Sequence, residues 1–398
     1  MPLDTIYLTR HGHRLNWTID YKTGTYHAQF PTPTGNPADP TLTSHGVRQS
    51  HELAAHLASD DFHPKPFRVY CSPFYRCLQT IQPSVDALKE LHQRTYSDDS
   101  STSKNNDKQI ERHADFAVRV EPGLGEWFGH TTFFTHPPPA TPPTLSTYFP
   151  TLNLTLPNNP DDASAPSNKT YKPYKPHLTP SPTGETIANL HTRIATTLAA
   201  LIADVDAEIA ALEAAQPAHE PRSSKAILIC SHAAPLIAMG RALTGLMPED
   251  SSQEDFFVFT AGLSTFRRRR WRQQRGNGQD GAGCGVDSVG RDLRRGSSGA
   301  GVSGGEDKQE WVLAPGTTIL RAGITVQTDW RGGKGVAGGW DCVRNGDCGF
   351  LSQGAERGWH FNGEEGFDTG PMAAESAPPV SGLDTVVSEG VGERGMKL

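Results

Sequence analysis

Residues 10–14 read Arg-His-Gly-His-Arg, which places two imidazoles and two guanidiniums directly after the apolar run Ile6-Tyr7-Leu8. Further along, Ser72 to Arg76 follows "FRVYC", and Ser231-His232 follows "AILIC". Glu126 lies in the Gly-rich stretch "GLGEWFG", after "VRV". In an open parallel sheet ligands bind beyond the carboxyl ends of the strands, so groups placed there converge on one site. The converged site would be positive with a carboxylate at its rim. Phosphate suits it, because guanidinium forks hold its oxygens through paired, charge-assisted hydrogen bonds.

An imidazole acting as nucleophile in such a site must be neutral, and surrounding arginines lower its pKa. One ring nitrogen then offers a lone pair to phosphorus while a backbone carbonyl fixes the other. Gly12 permits close backbone approach beside His11. Preorganised donors stabilise the charge that spreads over the equatorial oxygens. A leaving alkoxide needs a proton, and Glu126 suits the general acid that supplies it. Taken singly, each residue has an ordinary role: a core histidine, a surface arginine at Arg76, a turn-capping Glu126. Their joint placement after successive strands favours chemistry.

The elements that must position these groups follow from the apolar pattern. Strands are predicted at 5–9, 67–72, in 116–129, at 226–231, 256–260 and 262–266. Helices are predicted after Thr43 as N-cap, after Ser72-Pro73, from Glu185, and from Pro235 to Gly245. Strands alternating with helices specify a three-layer α/β/α sandwich with a mostly parallel sheet over residues 1–266. Polar, Pro- and Thr-rich stretches at about 18–41, 93–115 and 130–183 read as loop insertions. Beyond 266 lies a basic then Gly/Ser-rich segment (267–310), and "WVLAPGTTILRAGITVQTDW" (311–330) alternates as one or two strands. The Trp/Gly-rich remainder to 368 is expected to dock on the main domain, and 369–398 reads as a flexible tail.

The totals agree with a partly packed chain. Of 398 residues 35% are apolar, with 40 Gly and 31 Pro, so loops are extensive. A net charge of −7 gives no global attraction to nucleic acid. Six scattered cysteines, the lack of a signal-like start and the lack of a membrane-length apolar run suit an intracellular protein, cytoplasmic or nuclear. The N-x-T sequons at Asn16, Asn153 and Asn168 then read as chance matches.

"RHGHR" (10–14), "LTSHG" with Gln49 (42–49), "CSPFYRCLQT" (71–80), "GLGEWFG" (123–129), "TGET" (183–186) and "SHAAP" (231–235) stand in the order seen in one family. Over residues 3–266 the chain resembles the histidine phosphatase, or phosphoglycerate mutase-like, superfamily. The resemblance implies a phosphohistidine mechanism that needs no metal and no cofactor. Carried onto this sequence, it makes His11 the nucleophile, Glu126 the proton donor and His232 the second pocket histidine, with Arg10, Arg14 and Arg76 as phosphate ligands. The mutase branch commonly has an acidic residue where His13 stands; Arg14 is more similar to the phosphatase branches. "RHGHRLNW", "CSPFYRC" and "GEWF" further resemble a fungal subgroup that includes the tau 55 kDa subunit of RNA polymerase III transcription factor IIIC. That implies two kinds of partner: a phosphorylated substrate of unspecified class, and the other proteins of a transcription complex.

Weaker signals take their ordinary reading. The run Arg267–Arg275 suits nuclear import or a nucleic-acid contact, but a solvated strand extension leading into a loop comes slightly ahead of both. Cys342, Cys348 and His360 form only one loose pair, short of a zinc set. "GGKGVAGG" lacks the Gly-Lys-Ser/Thr ending of a phosphate loop. Trp330, Trp340, Phe350, Trp359, Phe361 and Phe367 are expected to pack on the chain's own core.

Overall fold

The structure is a computed structural model and describes residues 2–97, 112–154, 174–217, 222–269 and 311–362. The chain opens with β1 (Thr5–Arg10), β2 (Trp17–Asp20) and β3 (Thr25–Ala28), then α1 (Ser44–Ala58), β4 (Pro66–Cys71), α2 (Tyr75–Ser97) and β5 (Val118–Val120). After α3 (Pro142–Tyr148) and β6 (Leu178–Thr179) come α4 (Ile187–Ala215), β7 (Ala226–Ser231), α5 (Ala233–Thr244) and β8 (Leu263–Arg268). Two later strands, β9 (Thr318–Ile319) and β10 (Trp340–Asp347), follow.

Six strands form the central sheet in the order β10-β8-β1-β7-β4-β5. The inner pairs β1–β7, β7–β4 and β4–β5 are parallel, while β8 runs antiparallel to β1 and to β10. Alternate strand residues face opposite layers, as a strand's period of two requires. Ile6, Leu8, Ile227 and Ile229 pack with α4 and α5. Tyr7, Val69, Leu228 and Cys230 pack on the other face with Leu53, Leu57, Leu78 and Ile81 of α1 and α2. The expected three-layer sandwich is what forms.

Local chemistry explains the helix ends. The Thr43 side chain accepts from Gly46 N at 3.1 Å, as the predicted N-cap of α1. Thr186 and Asn189 form a reciprocal capping box on α4. Gly245 closes α5 at φ 75°, the left-handed geometry that glycine adopts without steric cost. α2 departs from expectation. It begins at Tyr75 rather than at Pro73, and its first N–H groups are taken by Asp39, which accepts from Tyr75 N at 2.6 Å.

Several predicted elements differ. Residues 256–260 form no strand beyond one bridge from Thr260 to Arg10, because β8 already occupies the place beside β1. Phe256 instead packs against Gly240 of α5. The alternating stretch 311–330 pairs only at β9, with β6, and otherwise lies over α4, where Gln327 N donates to Thr196 Oγ1 at 3.0 Å. The stretch 18–41 contains the β2–β3 hairpin, and 130–183 contains α3. Sequence periodicity missed both because the hairpin strands are only four residues long and their inward face is half-buried, and α3 buries only Leu145.

Residues 340–347 add an edge strand to the central sheet, and Trp330, Trp340 and Phe361 are buried in the same core as α4 and α5. The segment 270–310 and residues 363–398, with Cys284 and Phe367, lie outside the described residues. Arg268 and Arg269 are within them and pair with Asp206 and Asp341 at 2.7 Å, so both forks serve the fold. Among the described residues no helix is long and apolar enough to cross a membrane.

Candidate active site

Parallel pairing sets the strand ends level. His11 N donates to Ser231 O, Ser72 N to Cys230 O and Glu121 N to Cys71 O, each at 3.0 Å. The residues that follow β1, β4, β5 and β7 therefore meet at one edge of the sheet. His11, Glu126 and His232 each bring a side-chain donor atom within 4.8 Å of the others. The rings of His11 and His232 stand edge to face, 5.4 Å apart.

His11 is 2% exposed. Its Nδ1 lies 2.8 Å from Gly12 O, and since a carbonyl only accepts, the proton sits on Nδ1 and the lone pair on Nε2. Burial, followed by the charges of Arg76, Arg10, His232 and Arg14, pushes its pKa well below the ordinary histidine value. Gly12 N is bound by Thr80 Oγ1 at 2.9 Å. The close approach expected at Gly12 is to the start of α1: a Cβ at Gly12 would stand 2.8 Å from Gly46 O, and one at Gly46 only 2.0 Å from His13 O. Two facing glycines thus let the Arg10–Arg14 turn rest on that helix.

The arginines divide into two tiers. Arg10 and Arg14 line a cleft of about 200 Å³ together with His11 and Glu126. Arg10 Nη1 donates to Val258 O at 2.8 Å and to Arg357 O at 2.6 Å. Burial lowers the pKa of Arg10 to about 10 and that of Arg14 to about 9, so both remain charged at neutral pH. Arg76 and His232 lie beneath, fully buried. Arg76 Nη1 binds Ala38 O and Asp39 Oδ1, both at 3.0 Å, and Nη2 reaches Glu126 Oε2 at 2.8 Å and His232 Nδ1 at 3.0 Å. Burial works against its charge, but Asp39 and Glu126 outweigh that and hold its pKa up.

Burial likewise opposes ionisation of Glu126, yet His232 and Arg76 hold its carboxyl well below the usual range. His232 Nδ1 faces both Arg76 Nη2 and, at 3.2 Å, Glu126 Oε2. With Nδ1 protonated the ring pairs with Glu126; without that proton it accepts from Arg76. Its Nε2 lies 2.7 Å from Ser72 Oγ. Two imidazoles and a carboxylate are a donor set that a cation could use in other surroundings. Here three guanidiniums surround them, which favours an anion. The first residues of α5, Ala233 and Ala234, also line the cleft, so a helix N-terminus faces it. The arrangement combines a neutral imidazole, a cationic anion-binding floor and a carboxylate at the rim.

Residues 6–99, which carry "RHGHR" and "CSPFYRC", match the model of the histidine phosphatase superfamily (branch 1). Over those residues the chain is similar to the histidine phosphatase superfamily. It is also 29% identical over 246 residues to the transcription factor tau 55 kDa subunit of Saccharomyces cerevisiae, an alignment covering 62% of this chain and 42% of that protein. The chain thus spans less than half the length of that relative. Among solved structures, the ecdysone phosphate phosphatase of Bombyx mori aligns at 18% identity and TM-score 0.41, over 70% of this chain and 97% of that one. A mycobacterial glucosyl-3-phosphoglycerate phosphatase aligns at 16% identity and TM-score 0.33, over 67% of this chain and 90% of the other.

The fold brings all six residues singled out in the sequence to one place. It also uses residues that the sequence did not signal. Trp17, Ile19, Tyr21 and Tyr26 of the β2–β3 hairpin wall the cleft, facing Trp127, Phe128 and His136. His136 stacks on Phe128 at 4.8 Å, donates from Nε2 to Gly129 O and accepts from the Tyr26 hydroxyl. Burial lowers its pKa to about 4, so it is neutral. Most of the hairpin and His136 come from stretches that read as insertions, where composition carries no period, whereas Trp127 and Phe128 belong to the Gly-rich stretch 123–129. His13, by contrast, turns away: its Nδ1 meets Thr43 Oγ1 and its N–H donates to Gln49 Oε1, each at 2.9 Å.

Proposed function

We propose that the chain is a metal-independent phosphatase that hydrolyses a phosphomonoester through a phosphohistidine on His11. The observation that carries this reading is the tautomer of His11: Nδ1 is committed to Gly12 O, and the neutral ring lines a cleft shared with Arg10, Arg14 and Glu126. In the first step Nε2 attacks phosphorus as the ester oxygen leaves with a proton from Glu126. In the second, Glu126 takes a proton from water, which attacks the phosphohistidine and releases inorganic phosphate. Arg10 and Arg14 hold the phosphoryl oxygens at the cleft wall, and Arg76 adds a third charge from beneath. His232 lies beside His11 and shares the Glu126 carboxylate with Arg76.

The test is a panel of phosphoesters assayed with wild type and His11→Ala, with the radiolabel of a labelled phosphoester trapped on the protein by an alkaline quench, in which the P–N bond of phosphohistidine survives. Hydrolysis and label that vanish in His11→Ala are the expected result. A folded wild type that hydrolyses none of them and traps no label overturns the proposal.

A second reading rests on the similarity to the tau 55 kDa subunit: the domain serves a transcription complex as an interaction module. It predicts nuclear location and co-purification with RNA polymerase III factors, whether or not His11 is intact. A phosphoglycerate mutase-type transfer is the third, tested by following phosphate between positions of a phosphoglycerate.

A further inference from the structure

Residues 352–361 lie far beyond the 6–99 match, yet they cross the candidate site. Glu356 sits at the centre of this strap. Its Oε2 lies 2.5 Å from His45 Nε2 and accepts from Gln49 Nε2 at 3.0 Å, both on α1. Its carbonyl accepts from Thr260 N at 3.1 Å. Gln49 in turn holds His13 N through Oε1 and Thr260 Oγ1 through Nε2. One carboxylate thus joins α1, the Arg10–Arg14 turn and the residues before β8.

The next two contacts reach the site itself. Arg357 is a non-glycine residue at φ 50°, a backbone conformation that costs free energy and persists only where the surroundings impose it. In that conformation its carbonyl accepts from Arg10 Nη1 at 2.6 Å. Two residues on, Trp359 lines the cleft and packs edge to face on Trp127 and Phe361. The Arg10 fork is therefore aimed by two carbonyls, and one of them belongs to the strap.

We propose that Glu356 is a positioning residue, whose latch on His45 and Gln49 holds the Arg357 carbonyl against Arg10 and Trp359 at the cleft wall, so that phosphate affinity depends on a segment outside the histidine phosphatase match. This rests on the phosphatase reading for its effect on turnover, but its effect on phosphate binding can be measured without turnover. Glu356→Ala removes the acceptor for His45 and Gln49. Glu356→Gln keeps an oxygen for Gln49 Nε2 and serves as the conservative rescue.

The experiment measures KM and kcat for an aryl phosphate, and binding of inorganic phosphate by calorimetry, on wild type and both full-length variants. Thermal unfolding by circular dichroism checks that each is folded. Misplacing a clamping arginine is expected to weaken phosphate binding and raise KM on the order of 10-fold in Glu356→Ala, with kcat less affected and Glu356→Gln close to wild type. Equal KM and equal phosphate affinity in wild type and a folded Glu356→Ala overturn the latch. An unfolded Glu356→Ala shifts the test to Glu356→Gln: a loss of phosphate affinity there of about 10-fold or more also overturns it, since the remaining oxygen should serve. Wild type that binds phosphate without hydrolysing any ester overturns the phosphatase reading alone. Wild type that does neither overturns both.

Discussion

Asp39 Oδ1 lies 3.0 Å from Arg76 Nη1, and both side chains are fully buried. The same carboxylate accepts from the N–H groups of Tyr75 and Arg76, so one residue caps α2 and neutralises the arginine beneath the site. Removing one member of a buried pair leaves an uncompensated charge and is more damaging than removing both. Asp39→Ala should therefore destabilise the protein by about 3–5 kcal/mol, read from urea unfolding midpoints. A loss below about 1 kcal/mol would show that Arg76 finds another partner.

Glu126 governs the pH dependence. Its folded pKa is depressed, so at pH 7 the carboxyl is ionised, whereas the first chemical step needs its proton. His11 is also depressed and stays neutral and nucleophilic well below pH 6.5. Lowering the pH from 7 to 5 thus increases the protonated acid without protonating the nucleophile, and kcat/KM should rise. Glu126→Gln should lose roughly 10²- to 10⁴-fold in activity and flatten the part of the profile that differs from wild type. The substrate's own ionisation is common to both proteins, so the difference between the two curves is the readout. A wild-type curve parallel to the variant's would remove Glu126 from the proton path.

His191, buried on α4 beneath Trp330, has its pKa lowered to about 3 by burial. Its folded value lies below its unfolded value of about 6.5, so the unfolded chain binds the proton first. The stability that a neutral His191 contributes is complete above pH 6.5 and is lost as pH falls toward 3. By pH 5 the loss is about 2 kcal/mol from this residue alone. Urea titrations at pH 7 and pH 5 should show it, and His191→Gln should shrink the gap between them.

Arg193 forms a buried ion pair with Glu185 and donates from Nη1 to Gly123 O at 2.8 Å and Gly125 O at 3.2 Å. It thereby shapes the loop that carries Glu126. Arg193→Met keeps apolar volume but frees those carbonyls. It should lower kcat about 10-fold or more, because a small misplacement of a reacting group is costly. An unchanged kcat would mean that Arg76 and the backbone suffice to hold Glu126.

Much of this was legible beforehand. The runs 5–9, 67–72 and 226–231 became the parallel centre of the sheet, because strands buried on both faces read as nearly continuous apolar runs. The N-cap at Thr43, the glycine end of α5 and the pairing of His11 Nδ1 with a carbonyl all rest on interactions between near neighbours in the chain. The run at 256–260 and the alternating stretch 311–330 went elsewhere than their patterns imply, because neighbouring strands and α4 were the better partners.

The sequence by itself therefore determined the sandwich, the strand ends and the six charged or imidazole groups that meet there, since each is announced by local periodicity or by position after a strand. Only the tertiary structure decided which arginines face the cleft and which lie beneath it. It alone brought Asp39 to Arg76, His136 to Tyr26, and Glu356 to His45 across 311 residues. Such contacts depend on the directions in which distant loops return to the sheet edge, and those directions are set by packing rather than by any pattern within the loops.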